Sequence, residues 1–296
     1  MSKQALLIVN RQARKGRNSF AQAVDLLNDL DFELISVPVK QPSQICAAIE
    51  QYGAAVDLVI LGGGDGTLNQ AIESLLKVDR PLGILPLGTA NDLARTLGIP
   101  VDLPSACQVI DQGYRQAVDL GWVNDQHFFN VASLGLSVDI TQKLTRGAKR
   151  RWGVLAYAIT ALQVMGQTRP FHCEIDCNGE TISVKTIQIA IGNGRFYGGG
   201  MAIAEDAAID DNRLDIYSLE IKHWWQVFPL ILTLPQGLHH QYHWVRSLQA
   251  ESLEIRTRRP REINTDGEIV TQTPAQFRVI PKALQVFVPA PRPTVD

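Results

Sequence analysis

Val56-Asp57-Leu58-Val59-Ile60-Leu61-Gly62-Gly63-Gly64-Asp65-Gly66-Thr67-Leu68-Asn69 is an apolar run that breaks into glycine and then resumes with helical spacing. Branched and leucine side chains bounded by turn formers read as a buried strand. Glycines let the backbone turn sharply and approach a ligand closely, and the helix that follows offers N–H groups and a positive dipole end. The loop has neither the G-K-[ST] of a Walker A nor the glycine spacing of a Rossmann turn. A carboxylate in such a loop repels phosphate, so Asp65 makes sense there if Mg2+ lies between it and the phosphates. The plainer alternative is a tight turn in which Asp65 or Thr67 caps the helix.

Outward from this stretch, strand and helix alternate. Residues 5–9, 33–39 and 81–86 read as further strands, and residues 20–30 and 43–51 as helices. One helix runs on from the glycine loop through Leu76, and another follows Gly88 and Thr89 to end at Gly98. This pattern predicts an open parallel sheet with helices on both faces and ligands beyond the strand ends. After Asp119 shorter period-two segments dominate, at 171–177, 182–191, 214–219, 253–257, 277–280 and 284–288. They predict antiparallel sheet, interrupted by helical stretches near 155–165 and 225–248. The expected architecture is an α/β N-terminal domain over residues 1–120 and a β-rich, sandwich-like domain over 121–281.

Composition narrows the class. The 296 residues are 45% hydrophobic and 20% charged, which excludes general disorder. A net charge of -2 gives no global basic field for nucleic acid. Cys46, Cys107, Cys173 and Cys177 are scattered and read as reduced core thiols rather than a zinc site. No leader-like segment opens the chain, and no apolar run reaches the roughly 20 residues of a membrane span. A cytoplasmic protein is expected, one that visits a membrane from outside if its substrate is lipid.

Gly63-Gly64-Asp65-Gly66-Thr67 after a strand, followed by Pro86-Leu87-Gly88-Thr89-Ala90-Asn91-Asp92-Leu93-Ala94-Arg95, resembles the catalytic domain of bacterial diacylglycerol kinases and related lipid kinases. The likeness extends over nearly the whole chain. It implies an ATP- and Mg2+-dependent kinase acting on a lipid hydroxyl, with diacylglycerol the leading acceptor. It also implies a nucleotide site between the two domains, with residues 282–296 folding back onto the first.

Residue by residue, the resemblance implies that Gly63, Gly64, Asp65, Gly66, Thr67, Leu68 and Asn69 bind ATP, together with Thr89. The family's first loop corresponds to Asn10-Arg11-Gln12-Ala13-Arg14-Lys15-Gly16, with Asn10 carried over and Arg11 standing where proline is usual. In Ala208-Ile209-Asp210-Asp211-Asn212-Arg213 it implies a magnesium turn, using the Asp211 side chain and the carbonyls of Ala208 and Arg213. Asp119 is implied to join Asp65 and Asp211 in a water-linked metal network. For the general base it points to Asn264-Thr265-Asp266-Gly267-Glu268, where Glu268 is favoured and Asp266 stays open. Without the resemblance, Asp-Asp-Asn is an ordinary turn composition, Asp119 a buried aspartate on a backbone turn, and Asp266-Gly267 a hairpin turn.

Lys143, Arg146, Lys149, Arg150 and Arg151 beside Trp152 and Tyr157 suit an anionic membrane surface, or else a solvated helix end. Trp224, Trp225, Phe228, Leu230 and Leu234 suit a lipid path or, more often, simple core. Gly192 to Gly200 resembles a family loop facing the substrate, and related kinases make a homodimer plausible. His239 and His243 have metal-ligand spacing but no third ligand, so no site is assigned to them. Two other readings compete: a kinase of a soluble substrate such as NAD, and a non-catalytic lipid carrier on a kinase scaffold.

Overall fold

The computed structural model describes residues 3–11, 13, 16–143, 168–221, 226, 229, 233 and 236–291. The chain divides into two compact units, residues 1–118 with 282–296, and residues 119–281.

The first unit is built on strands β1 (Lys3–Asn10), β2 (Phe32–Val39), β3 (Leu58–Gly63) and β4 (Leu82–Pro86). They lie in the order β2-β1-β3-β4, with parallel neighbours. Helices α1 (Gly16–Asp29), α2 (Pro42–Tyr52), α3 (Asp65–Val78), α4 (Asp92–Thr96) and α5 (Leu103–Gln112) belong to the same unit. Ala5 to Val9 and Leu58 to Leu61 are buried along their whole lengths, as central parallel strands covered on both faces must be. After β1 the sheet grows to one side with β2, then to the other with β3. That reversal opens a crevice at the carboxyl ends of β1 and β3, the usual ligand position in such sheets. Asn10 ends one strand and Gly63 the other.

Helix α5 falls in a stretch that the sequence reading left without an element. Its end signals are nonetheless ordinary. The Asp102 side chain accepts the Ser105 N–H at 2.9 Å, a proline sits in the first turn, and Gly113 closes the helix at φ 79°.

Strand β5 (Arg115–Val123) leads into the second unit. There follow β6 (Gln126–Phe128), β7 (Val131–Gly135), α6 (Leu136–Lys143), β8 (Phe171–Cys177), β9 (Glu180–Thr186) and β10 (Gln188–Gly192). Next come β11 (Phe196–Tyr197), β12 (Met201–Ala202), β13 (Leu214–Leu219), β14 (Val245–Ala250) and β15 (Ser252–Thr257). The series ends with β16 (Glu262–Thr265), β17 (Glu268–Gln272) and β18 (Ala275–Phe287). β18 starts in the second unit and finishes in the first, where Val286 pairs in parallel with Leu82 of β4.

Two antiparallel layers make the second unit a sandwich. One has the order β14-β13-β10-β7-β16-β17; in the other β15 lies between β8 and the start of β18, with β9 outside β8. Period-two side chains fill the space between them. Ile189 and Ile191 of β10 and Leu214 and Ile216 of β13 join Phe171, Ile175, Ile255 and Phe277 in one core. The alternate residues Ala190, Tyr217 and Leu219 face a second cluster with Ile203 and Val245 on the sheet's other side. Both faces of β10 and β13 are therefore covered, and these strands are buried throughout.

Three expectations change in detail. The helix read over residues 225–248 is not continuous, because Val245–Ala250 is strand β14 and Leu238–Gln241 is a single 3-10 turn. β14 is an edge strand with few buried positions, so its period-two signal is weak. Residues 182–191 form two strands, with Thr186 Oγ1 accepting the Gln188 N–H at 3.2 Å where the chain crosses between sheets. Residues 277–288 belong largely to one strand, running through Pro281 and a left-handed Lys282 at φ 50°. The helix read over 155–165 lies outside the described residues.

Candidate active site

In the first unit the crevice is lined by two glycine loops. Gly64 is the N-cap of α3 in extended conformation, and its carbonyl accepts the Thr67 and Leu68 N–H groups at 2.8 and 3.2 Å. The helix thus begins at the crevice end of the sheet with its Thr67 and Leu68 N–H groups already used within the first turn. Thr67 folds back over Gly63, where a Cβ would stand 2.5 Å from the Thr67 Cβ. Asn10 Nδ2 donates to Thr67 Oγ1 at 3.0 Å and so ties the end of β1 to the loop after β3. Leu68 is only 2% exposed, so its side chain serves the core. Asn69 Oδ1 is buried with no hydrogen-bond partner.

The second loop locks against the first. A Cβ on Gly88 would lie 2.4 Å from the Gly64 Cα, so both positions require glycine for the backbones to touch. Asn91, left-handed at φ 52°, accepts the Gly88 N–H on Oδ1 at 2.9 Å and begins α4. Asp65 Oδ1 accepts the Leu93 N–H at 3.1 Å. Burial pushes the Asp65 carboxyl above its ordinary range, and backbone N–H groups of the second loop oppose that rise. Thr89 is exposed at the rim of this loop.

Gly66 differs from its neighbours. It occupies a helical position in α3, and among the described residues nothing stands within 4 Å of where its Cβ would be. Glycine inside a helix costs roughly 0.5–1 kcal/mol relative to alanine. Packing among the described residues gives no reason for it.

The second unit holds the remaining acids. At the turn before β13, Asp211 Oδ2 accepts the Ala208 N–H and Oδ1 the Arg213 N–H, both at 3.3 Å. Asn212 is left-handed at φ 57° and gives its N–H to Asp119 Oδ2 at 2.8 Å. The Asp119 N–H in turn donates to the Ile209 carbonyl at 2.8 Å. Asp119, 2% exposed, and Asp211 are thus held on one turn. Burial raises the Asp211 carboxyl above its ordinary range; Asp119 adds to the rise, and Arg213 and two backbone N–H groups oppose it.

Donor chemistry here fits a hard divalent cation: carboxylates and turn carbonyls, all oxygen. Arg213 places a positive charge beside these donors, with Nε 3.1 Å from Asp211 Oδ2. Among the described residues no three His, Cys, Asp or Glu side chains form a ready metal cage.

The two carboxylates of Asp266-Gly267-Glu268 do different work. Asp266 (φ 48°) and Gly267 (φ 95°) form a two-residue turn between β16 and β17, where Thr265 pairs with Glu268. Asp266 accepts three consecutive backbone N–H groups, from Phe129 at 2.9 Å, Asn130 at 3.2 Å and Val131 at 3.0 Å. Its own N–H donates to the Val131 carbonyl at 3.0 Å. Glu268 is exposed at the start of β17.

Residues 129–131 also connect the Asp266-Gly267 turn to the Asp211 turn. Asn193 Nδ2 donates to the Asp119 carbonyl at 2.9 Å and to the Phe129 carbonyl at 2.8 Å. The Asn193 and Gly194 N–H groups both reach the Asn130 carbonyl. Asn130 and Asn193 are 3% and 2% exposed, and neither Oδ1 has a partner. Sequence reading singled out neither as a site residue. The available signals were a lone Asn in the apolar run at 128–132 and an Asn between two glycines.

Other expectations divide between core and undescribed residues. His239 is fully buried edge-on to Tyr217, with ring centroids 4.8 Å apart, and belongs to the core. Tyr217 OH meets Tyr197 OH of the glycine-rich loop at 2.5 Å. Arg14, Lys15, the basic cluster at 146–151, Trp152, Tyr157 and the apolar positions 224, 225, 228, 230 and 234 lie outside the described residues, as does the Lys143 side chain.

Two family models match. The diacylglycerol kinase catalytic domain covers residues 4–123, and the YegS C-terminal NAD kinase beta sandwich-like domain covers residues 130–288. A Yersinia enterocolitica protein named "probable lipid kinase YegS-like" is 34% identical over 96% of this chain and 96% of its own. A Bacillus subtilis protein named diacylglycerol kinase is 28% identical over 79% of this chain and 78% of its own. The crystal structure of a diacylglycerol kinase from Bacillus anthracis str. Sterne shares the fold, with a TM-score of 0.79 at 23% identity over 99% of this chain and 98% of its own.

Proposed function

We propose, from the premise that this chain belongs to the diacylglycerol kinase-like family of lipid kinases, that it transfers the γ-phosphoryl group of ATP to the hydroxyl of a membrane lipid, with diacylglycerol as acceptor. The observation that carries the nucleotide half of this reading is Gly66, a glycine kept in a helix although no described residue lies over it. A phosphate seated there would accept hydrogen bonds from the first N–H groups of α3 while lying against the Gly66 Cα, and a methyl group would push it away.

In this reading the glycine loops hold the polyphosphate, and Asn10 sets the loop by holding Thr67. The Asp211 carboxylate and the Ala208 and Arg213 carbonyls would hold Mg2+, with Asp119 and Asp65 reaching it through water. Bound there, Mg2+ would neutralise charge on the phosphoryl oxygens. The lipid oxygen attacks the γ-phosphorus, the bond from that phosphorus to the β–γ bridging oxygen breaks, and ADP leaves. Glu268 takes the hydroxyl proton as the new bond forms. Asp266 is the poorer base, since three N–H groups already occupy its oxygens.

An acceptor of this kind places the enzyme at a membrane surface. No helix among the described residues is long and apolar enough to cross one. The test is label transfer from γ-labelled ATP to a lipid panel in mixed micelles, with NAD as the soluble comparison. Label in diacylglycerol supports the reading, and label in another lipid alcohol corrects the acceptor. Label in NAD alone overturns it.

A further inference from the structure

Arg213 enters the reading above only through its backbone carbonyl, yet its side chain is the most conspicuous charge at the metal turn. Its Nη2 donates to Asp206 Oδ2 at 2.9 Å and approaches the Asp206 carbonyl at 3.4 Å. Nε lies 3.1 Å from Asp211 Oδ2 and 3.9 Å from Asp215 Oδ1. Nε is buried and makes no directed hydrogen bond. The side chain is thus fastened to Asp206 by geometry and held to Asp211 and Asp215 by charge alone. Asp215 is further fixed by Gln249, whose Nε2 donates to it at 2.8 Å. Asp119 is tied to the same turn by the Asn212 N–H.

A guanidinium stays charged at any pH the protein survives. It faces Asp206, Asp211 and Asp215 directly, with Asp119 on the same turn, so the carboxylates outnumber it. A divalent ion taking an Asp211 oxygen would enter against the Arg213 charge, and the missing directed bond makes Asp211 a contact more readily given up than Asp206. We propose that the Arg213 side chain is a built-in counter-cation that competes with the divalent metal for Asp211 and thereby sets the metal affinity of the turn. This rests on the assignment of Asp211 as a metal ligand. It adds a determinant that backbone carbonyls alone do not supply: release of Arg213 onto Asp206 and Asp215 is part of metal uptake.

The test is Mn2+ binding to the full-length protein without nucleotide, read by the electron paramagnetic resonance of free Mn2+. Arg213→Gln removes the competitor and keeps the carbonyl, so Mn2+ should bind roughly tenfold more tightly, the effect of one nearby charge when solvent screening approaches that of water. Asp206→Asn acts in the opposite direction. It loosens the guanidinium from its directed partner, lets it settle on Asp211, and should weaken binding several-fold. The Asp206 side chain is 66% exposed, so this variant should fold even if Arg213→Gln does not. A folded Arg213→Gln protein that binds Mn2+ no more tightly than the parent, or not at all, overturns the proposal. So does unchanged or tighter binding in Asp206→Asn. If Asp211→Asn binds Mn2+ as the parent does, the metal assignment itself has failed and this inference falls with it. Loss of binding in Asp211→Asn with no effect of Arg213→Gln removes the inference alone.

Discussion

Asp65 Oδ1 accepts the Leu93 N–H at 3.1 Å, so the acid of one glycine loop caps the helix that the other loop opens. The two loops are therefore interlocked by the protein's own groups. Their contact also explains why a partly buried carboxylate is tolerated in a loop otherwise suited to phosphate.

This arrangement gives Asp65 opposite roles in stability and function. Burial raises its pKa on folding, so the native state holds the proton to higher pH than the unfolded chain. Stability from this group is greatest in acid, declines as pH rises through the folded pKa, and is at its minimum at neutral pH. Asp65→Asn keeps an oxygen for Leu93 and removes the charge. Its melting temperature at pH 7.5 should match or exceed the parent by about 1–3 °C. Phosphoryl transfer should fall by roughly a hundredfold or more. Near-normal turnover would show that Asp65 only caps α4.

Gly66 and Gly88 separate ligand from packing. Gly66→Ala meets no neighbour and removes a helix-weakening residue, so the fold should be unchanged or slightly more stable. The KM for ATP should nevertheless rise, by about tenfold or more if the added methyl displaces a phosphate. Gly88→Ala drives a Cβ into the Gly64 backbone and should cost about 1–3 kcal/mol in unfolding experiments. If Gly66→Ala leaves the KM for ATP untouched, the nucleotide does not lie on α3.

Asp266 and Glu268 should likewise part company. Glu268→Gln changes an exposed side chain, so melting should stay within a degree while kcat drops by about 10²–10⁴-fold. Asp266→Ala leaves three N–H groups without their acceptor and should destabilise the protein by about 2 kcal/mol or more. Thermal scans alongside single-turnover transfer distinguish the two. A stable but dead Asp266 variant, paired with an active Glu268→Gln, would exchange their roles.

Much of this was legible in the sequence because strong patterns were involved. Strands such as β1 and β3 are unbroken apolar runs, and the glycine loop sits between such a run and a helix, where only one arrangement satisfies both. The left-handed turn at Asn212 could be anticipated because asparagine tolerates that conformation. Less legible were features made by distant residues. Asp266 finds its N–H partners well over a hundred positions away, and the contact of Asn193 with Asp119 spans 74. Neither separation has a period that a sequence window can detect. Edge strand β14 was misread for a different reason: few of its side chains are buried, so its alternation is faint.

His239 supplies a prediction about acid stability that is independent of the chemistry. The ring is fully buried, and among the described residues neither nitrogen makes a hydrogen bond of good geometry. Burial, aided by the charge of His240 and opposed by the Ile203 backbone, lowers its pKa to about 4 from an ordinary 6.5. Below pH 6.5 the unfolded chain takes a proton that the native state refuses, so stability is lost progressively down to about pH 4. The full loss is about 3 kcal/mol, of which about 2 kcal/mol is reached by pH 5. His239→Phe keeps an aromatic edge against Tyr217 and has no proton to take up. The variant should be more stable than the parent at pH 7.5, since an unpaired buried polar ring is removed, and its advantage should widen toward pH 5. Buried carboxylates such as Asp215, raised by burial, titrate with the opposite sign in both proteins and cancel in the comparison. Paired urea titrations at the two pH values measure that widening directly. An advantage that stays constant with pH would mean that His239 accepts its proton in the folded state as readily as in the unfolded one.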